Sequence, residues 1–129
     1  MTPSPVRRHQ GRKRALVVDD EALIRWSVAE VLSDGRYDVV EAGTAQEAVD
    51  VSKPFSVVML DIRLPDSNSL SLLMKLHHLL PTARIIVMSA HGTPEIAQRA
   101  YELGASSVMP KPFEIGTISA LTGGASLAS

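Results

Sequence analysis

Several short apolar runs constrain this chain most: ALVV at 15–18, DVVEA at 38–42, FSVVML at 55–60, RIIVM at 84–88 and, more weakly, SSVM at 106–109. A strand open to water on one side alternates apolar and polar residues. Runs that are apolar almost throughout belong to strands covered on both faces, as in parallel sheets whose crossovers lay helices above and below. The intervening segments read as those helices. Residues 21–33 carry Leu23, Trp26, Val28, Val31 and Leu32 near helical spacing, with Asp34-Gly35 as a stop. Thr44 and Glu47 form a capping box ahead of 45–52, residues 70–80 show a wide apolar face before Pro81, and Thr93-Pro94 opens a helix closed by Gly104. The expectation is an α/β fold with right-handed crossovers, so that the carboxyl ends of all strands share one edge.

With 129 residues the chain is one ordinary domain. It has no cysteine, which excludes disulfides and thiolate metal sites. No apolar run reaches the roughly 18 residues that span a bilayer, and the amino terminus has no apolar core of a signal peptide, so a cytoplasmic protein without membrane contact is expected. The net charge of −1 hides an asymmetry: Arg7, Arg8, Arg12, Lys13 and Arg14 precede the first acid. Without those five of the 13 basic residues, 8 face 14 acidic ones, a body of −6. Residues 1–13 are read as a basic, disordered arm, 14–121 as the folded domain and 122–129 as a flexible tail. Pro3, Pro5 and Gly11 favour a solvated leader, and direct nucleic-acid binding is not expected.

At the shared edge the first strand ends at Asp19-Asp20, with Glu21 next, the third at Asp61 and the fourth at Ser89, and the fifth runs into Lys111. Ligands of open parallel sheets gather on this edge where the strand order reverses. Any one of these residues has a plain structural explanation: Asp20 a helix cap, Asp61 a turn opener, Ser89 a partner for a carbonyl, Lys111 a solvated charge. Together they form a pattern. Two carboxylates about 4 Å apart repel by roughly 4 kcal/mol at an effective dielectric near 20, so three converging acids imply a divalent cation. Donors that are all oxygen point to Mg²⁺ or Mn²⁺ rather than zinc. Ser89 and Lys111 are the right types to receive phosphoryl oxygens, and the reaction class suggested is phosphoryl transfer.

The stretches VVDDE, MLDIRLPD, VMSAHG and GASSVMPKPF, in this order, resemble the receiver domain of two-component response regulators over residues 14 to about 115. LIRW, AYELGA and PKPF resemble receivers of the nitrogen-regulation (NtrC-like) class. The resemblance implies a flavodoxin-like (CheY-like) doubly wound, five-stranded parallel sheet of order 2-1-3-4-5. It makes Asp61 the acceptor of a phosphoryl group from a sensor histidine kinase or phosphotransfer protein. Asp20 and Asp61, with the backbone carbonyl of Arg63, would hold Mg²⁺ directly, and Asp19 would act largely through water. Ser89 and Lys111 would hold the phosphoryl group, the Lys111-Pro112 bond would be cis, and Arg63 and His91 would tune the lifetime of the acyl phosphate. The implied role is a self-phosphorylating and self-dephosphorylating switch, not a turnover enzyme. The class usually precedes an ATPase and a DNA-binding domain, absent from this chain, and regulates transcription.

Three departures stand out. Val108 occupies the place where many receivers carry Tyr or Phe, so signalling through Ser89 and loop movement alone is expected. Ser69 stands where glycine is common. The last helix, started by Ile115, Ile118 and Leu121, is expected to be short because Gly123 and Gly124 follow Thr122; the homodimer face next to it is correspondingly in question. The competing readings are a receiver-fold interaction module independent of phosphate, and an aspartate-nucleophile phosphatase, which would need an Asp-x-Asp spacing rather than adjacent Asp19 and Asp20. Met59, Met88 and Met109 read as core filling, and His77 and His78 as surface residues.

Overall fold

A computed structural model of the chain describes residues 13–51, 54–64, 67–90, 93–111 and 115–122. The arm, the tail beyond Thr122, Pro65, His91 and Pro112 with its peptide bond lie outside the described residues. Five strands, β1 (Lys13–Val18), β2 (Tyr37–Ala42), β3 (Val57–Asp61), β4 (Arg84–Ser89) and β5 (Ser107–Pro110), form one sheet in the order β2-β1-β3-β4-β5. All four pairings are parallel, with Val18 opposite Leu60, Leu60 opposite Val87 and Val87 opposite Val108. The helices are α1 (Ala22–Asp34), α2 (Ala45–Asp50), α3 (Ser69–Leu79), α4 (Pro94–Glu102) and α5 (Ile115–Thr122). A small antiparallel ribbon, Arg63–Leu64 with Ser67–Asn68, joins β3 to α3.

The two-residue period of a strand sends successive side chains to opposite faces, and here both faces are dry. Leu16, Val18, Val58, Leu60, Ile85 and Val87 pack with Ala48, Leu72, Leu73 and Leu76 of α2 and α3. Ala15, Val17, Val57, Ile86 and three methionines, Met59, Met88 and Met109, pack with Val28 and Leu32 of α1 and Ile118 of α5. Each large aliphatic chain so buried stabilises the fold by about 1.5–3 kcal/mol. The unbroken apolar runs follow directly from that double coverage.

Local chemistry sets the helix ends. Thr44 Oγ1 accepts the Glu47 N–H at 3.1 Å, while Glu47 Oε1 reaches back to the Gly43 N–H at 2.6 Å. Thr93 Oγ1 accepts the Ile96 N–H at 3.2 Å with Pro94 in the first turn. Gly104, at φ +117°, closes the turn after α4 in a conformation open mainly to glycine. After α1 the left-handed position falls on Arg36 (φ 69°), not on Gly35. β1 begins at Lys13, one residue before the expected boundary, and Thr122 is buried at the end of α5 rather than in a tail. The Tyr37 hydroxyl donates to the Thr122 carbonyl at 2.6 Å and anchors that helix end. The expected apolar face of α1 needs correction at Leu23, which is 74% exposed while Val28, Ala29 and Leu32 point inward; Trp26, which reads from the sequence as packed on the sheet or half exposed, is 56% exposed. The second helix also stops two residues early, at Asp50, because Val51 is extended.

Candidate functional site

The sheet's own ladder carries the site residues into place. Beyond β1, the Asp19 N–H donates to the Ala42 carbonyl at 3.1 Å; beyond β3, the Ile62 N–H donates to the Met88 carbonyl at 2.9 Å; beyond β5, the Lys111 N–H donates to the carbonyl of Ser89, the last residue of β4, at 2.8 Å. Asp19, Asp61, Ser89 and Lys111 therefore stand on one carboxyl edge with fixed backbones. Asp19, Asp61 and Ser89 are buried, and Asp20 is exposed beside them. Asp61 is the last residue of β3, where the sequence reading ends the third strand.

The Lys111 ammonium sits in the middle. Its Nζ lies 2.7 Å from Asp19 Oδ2, 3.3 Å from Asp61 Oδ2 and 3.2 Å from Glu21 Oε1, and the lysine side chain is only 9% exposed. Asp61 Oδ1 accepts the Arg63 N–H at 3.0 Å, so the acid also opens the following turn, and Asp19 Oδ1 accepts the Glu21 N–H at 2.9 Å. Burial raises the pKa of Asp61 above the usual carboxylate range; the Arg63 N–H opposes this, Asp19 adds to it and Lys111 opposes it. Burial alone would lower the pKa of Lys111, but the hydrogen bond and charge of Asp19, with Asp61 and Glu21, together raise it. The ammonium is thus held charged between its acids.

Oxygens of Asp19, Asp20 and Asp61 all lie within 4.8 Å of one another. Three or more acids face one lysine, and every donor is an oxygen, the donor set of a hard divalent ion. Asp20 is not the cap of α1: the N-cap is Glu21, with no side-chain cap bond. Lys111 is not a solvated surface charge. The part expected of Arg63 concerned its carbonyl, and the contact described is made by its N–H. His91 lies outside the described residues. Val108 is half-buried on β5, and its N–H donates to the Tyr101 hydroxyl at 3.3 Å.

Glu21, next to the strand-end acids, pairs with Lys111. The strand-end pattern did not disclose Arg25, which donates from Nη1 to the Asp19 carbonyl at 2.6 Å and from Nε to Glu41 Oε1 at 3.1 Å. Arg25 lies at the start of a helix entered directly from the acids, and that placement was the available signal.

The family model of the response regulator receiver domain matches residues 15–122. The chain belongs to that family. The receiver is 33% identical over 109 residues to the DNA-binding transcriptional regulator NtrC of Klebsiella pneumoniae, covering 83% of this chain and 23% of the relative. It is 33% identical over 105 residues to the chemotaxis protein CheY of Thermotoga maritima, covering 79% of this chain and 88% of that one. The receiver thus spans about a quarter of the NtrC relative it matches. Among solved structures it resembles a response regulator protein from Burkholderia pseudomallei with a phosphorylated aspartic acid, calcium ion and citrate, at TM-score 0.79 and 29% identity over 90% of this chain and 71% of that one. The family is one of signalling switches, and the receiver shares its flavodoxin-like sheet. Among the described residues no helix is long and apolar enough to cross a membrane.

Proposed function

We propose that this receiver is a phosphorylation-controlled switch in which Asp61 takes a phosphoryl group from the phosphohistidine of a sensor kinase or phosphotransfer protein. A carboxylate oxygen of Asp61 bonds to phosphorus as the bond from phosphorus to the imidazole nitrogen breaks; with one proton carried by the ring or taken up from water, this leaves an acyl phosphate on the receiver and neutral histidine on the donor. The observation that carries this reading is a buried carboxylate at a strand end, 3.3 Å from a buried ammonium and beside two further carboxylates. Burial disfavours the ionised nucleophile, and the Arg63 N–H and Lys111 offset that effect only in part.

The carboxylates of Asp20 and Asp61 with the Arg63 carbonyl would hold Mg²⁺ or Mn²⁺, Asp19 acting largely through water. When bound, the ion offsets the negative charge of the carboxylates and of the transferring phosphoryl oxygens. Lys111 and the Ser89 hydroxyl receive those oxygens, and Arg63 and His91 tune the lifetime of the product. Phosphorylation then shifts a pre-existing equilibrium at the α4–β5 surface, with output through ATPase and DNA-binding domains of a longer regulator or through a separate partner, in the cytoplasm. Intact mass after incubation with acetyl phosphate and Mg²⁺ tests the reading: wild type gains one phosphoryl group and Asp61→Asn gains none. An adduct that persists in Asp61→Asn overturns it. A second reading, an interaction module that works without phosphate, draws on Val108 at the aromatic switch position; partner binding equal in wild type and Asp61→Asn would favour it.

A further inference from the structure

The three acids are held very unequally. Asp19 is fixed through both ends of its side chain, by the Glu21 N–H and by Lys111, and Asp61 by the Arg63 N–H and Lys111. Asp20 is exposed, and its position depends on the backbone that carries it. That backbone leaves β1 after Val18, where the ladder's last rung is the bond from the Asp19 N–H to Ala42. The next peptide unit, whose carbonyl belongs to Asp19 and whose nitrogen to Asp20, is past that rung. Its carbonyl receives Arg25 Nη1 at 2.6 Å.

Arg25 is itself braced. Its Nε donates to Glu41 Oε1 at 3.1 Å, near the end of β2, and the guanidinium side chain is 22% exposed. A Cβ placed on Gly43 would stand 3.1 Å from Arg25 Nη1, so the β2–α2 loop leaves just enough room for the fork. One planar guanidinium joins α1, the Asp19–Asp20 peptide and β2, with Glu41 balancing its charge. A lysine has a single nitrogen and cannot make both contacts in this geometry.

We infer that Arg25 is a positioning residue for the cation site: by clamping the Asp19 carbonyl against Glu41 it sets the orientation in which Asp20 offers its carboxylate beside Asp61. Arg25 touches neither phosphorus nor metal. Groups that orient ligands in this way commonly cost ten- to a hundredfold in metal affinity when altered. The inference rests on the cation-dependent reading of the site, and the experiment separates the two.

Mg²⁺ alone is titrated calorimetrically into wild type, Arg25→Lys and Glu41→Gln, with melting temperatures recorded in EDTA. Wild type binds; Arg25→Lys binds about tenfold more weakly, and Glu41→Gln is weakened less, because the carbonyl contact survives. Phosphorylation of Arg25→Lys by acetyl phosphate returns to the wild-type rate once Mg²⁺ saturates. A merely structural role would lower the melting temperature in EDTA and leave Mg²⁺ affinity alone. Equal Mg²⁺ affinities in wild type and both variants overturn the inference while leaving the proposed function standing. Wild type that binds no Mg²⁺ overturns both. If Arg25→Lys unfolds, Glu41→Gln decides alone, and unchanged affinity in it counts against the clamp.

Discussion

The two ends of the sheet are built from the same five strands and follow opposite rules. At the amino edge β1 and β4 begin with surface cations: Lys13 and Arg84 are exposed, and Arg14 is half-buried beside an open depression of about 550 Å³ lined also by Pro54, Phe55, Ser56 and Thr82. The left-handed turns at Arg36 and Gly104 lie on this side, where helices hand over to strands. At the carboxyl edge the charges are buried and bound to one another, and the helices that follow are capped by Thr44 and Thr93. At one end the fold keeps its charges at the surface. At the other it gathers like charges around Lys111.

Lys111→Met breaks the carboxyl edge hardest. Asp19 and Asp61 lose their common cation, and removing one partner of a buried pair costs about 3–5 kcal/mol. Denaturant unfolding in EDTA measures this loss, and Mg²⁺ should recover part of it. The raised pKa of Lys111 adds a pH signature. Its contribution is complete below the ordinary lysine value and is lost as pH climbs through the raised one, so wild type weakens only in strong alkali while the variant lacks that step.

The amino edge has its own sensitive point. Gly104→Ala places a Cβ 2.5 Å from the His77 ring at a φ of +117°, and such strain costs about 1–3 kcal/mol. Adding His77→Ala relieves the clash but not the dihedral, so thermal unfolding should show partial recovery only.

Asp61→Asn turns the contrast around, because removing a site charge should stabilise the protein in EDTA. A carboxylate whose pKa rises on folding opposes folding once ionised. That penalty is absent below the free carboxylate value and complete above the folded one. The melting temperature near neutral pH should rise by about 4 °C, as about 1 kcal/mol produces at this size, and the gain should vanish in acid. Lys13→Met is the smallest change: at an exposed strand start it should alter stability by less than about 0.5 kcal/mol. A loss as large as that of Lys111→Met would erase the distinction between the two ends.

The sheet was legible because double burial leaves the plainest mark a strand can carry, and the strand ends then named Asp19, Asp61, Ser89 and Lys111. Helix facing was less legible. Leu23 and Trp26 are large and apolar, yet α1 turns Val28, Ala29 and Leu32 inward, since packing against the β1 and β3 face selects by fit as well as hydrophobicity. The Arg63–Leu64 and Ser67–Asn68 ribbon is too short to have a period. Arg25 escaped notice because it reaches the edge from a helix, through contacts that only the tertiary fold creates.

Ser89 and Lys111, the two residues suited to grip a phosphoryl group, share a backbone hydrogen bond of 2.8 Å between the Lys111 N–H and the Ser89 carbonyl. They are neighbouring rungs of one ladder, not independent fingers. A pull on the ammonium is a pull on the serine's strand, so under the proposed phosphorylation of Asp61 β4 and β5 would answer as one lever.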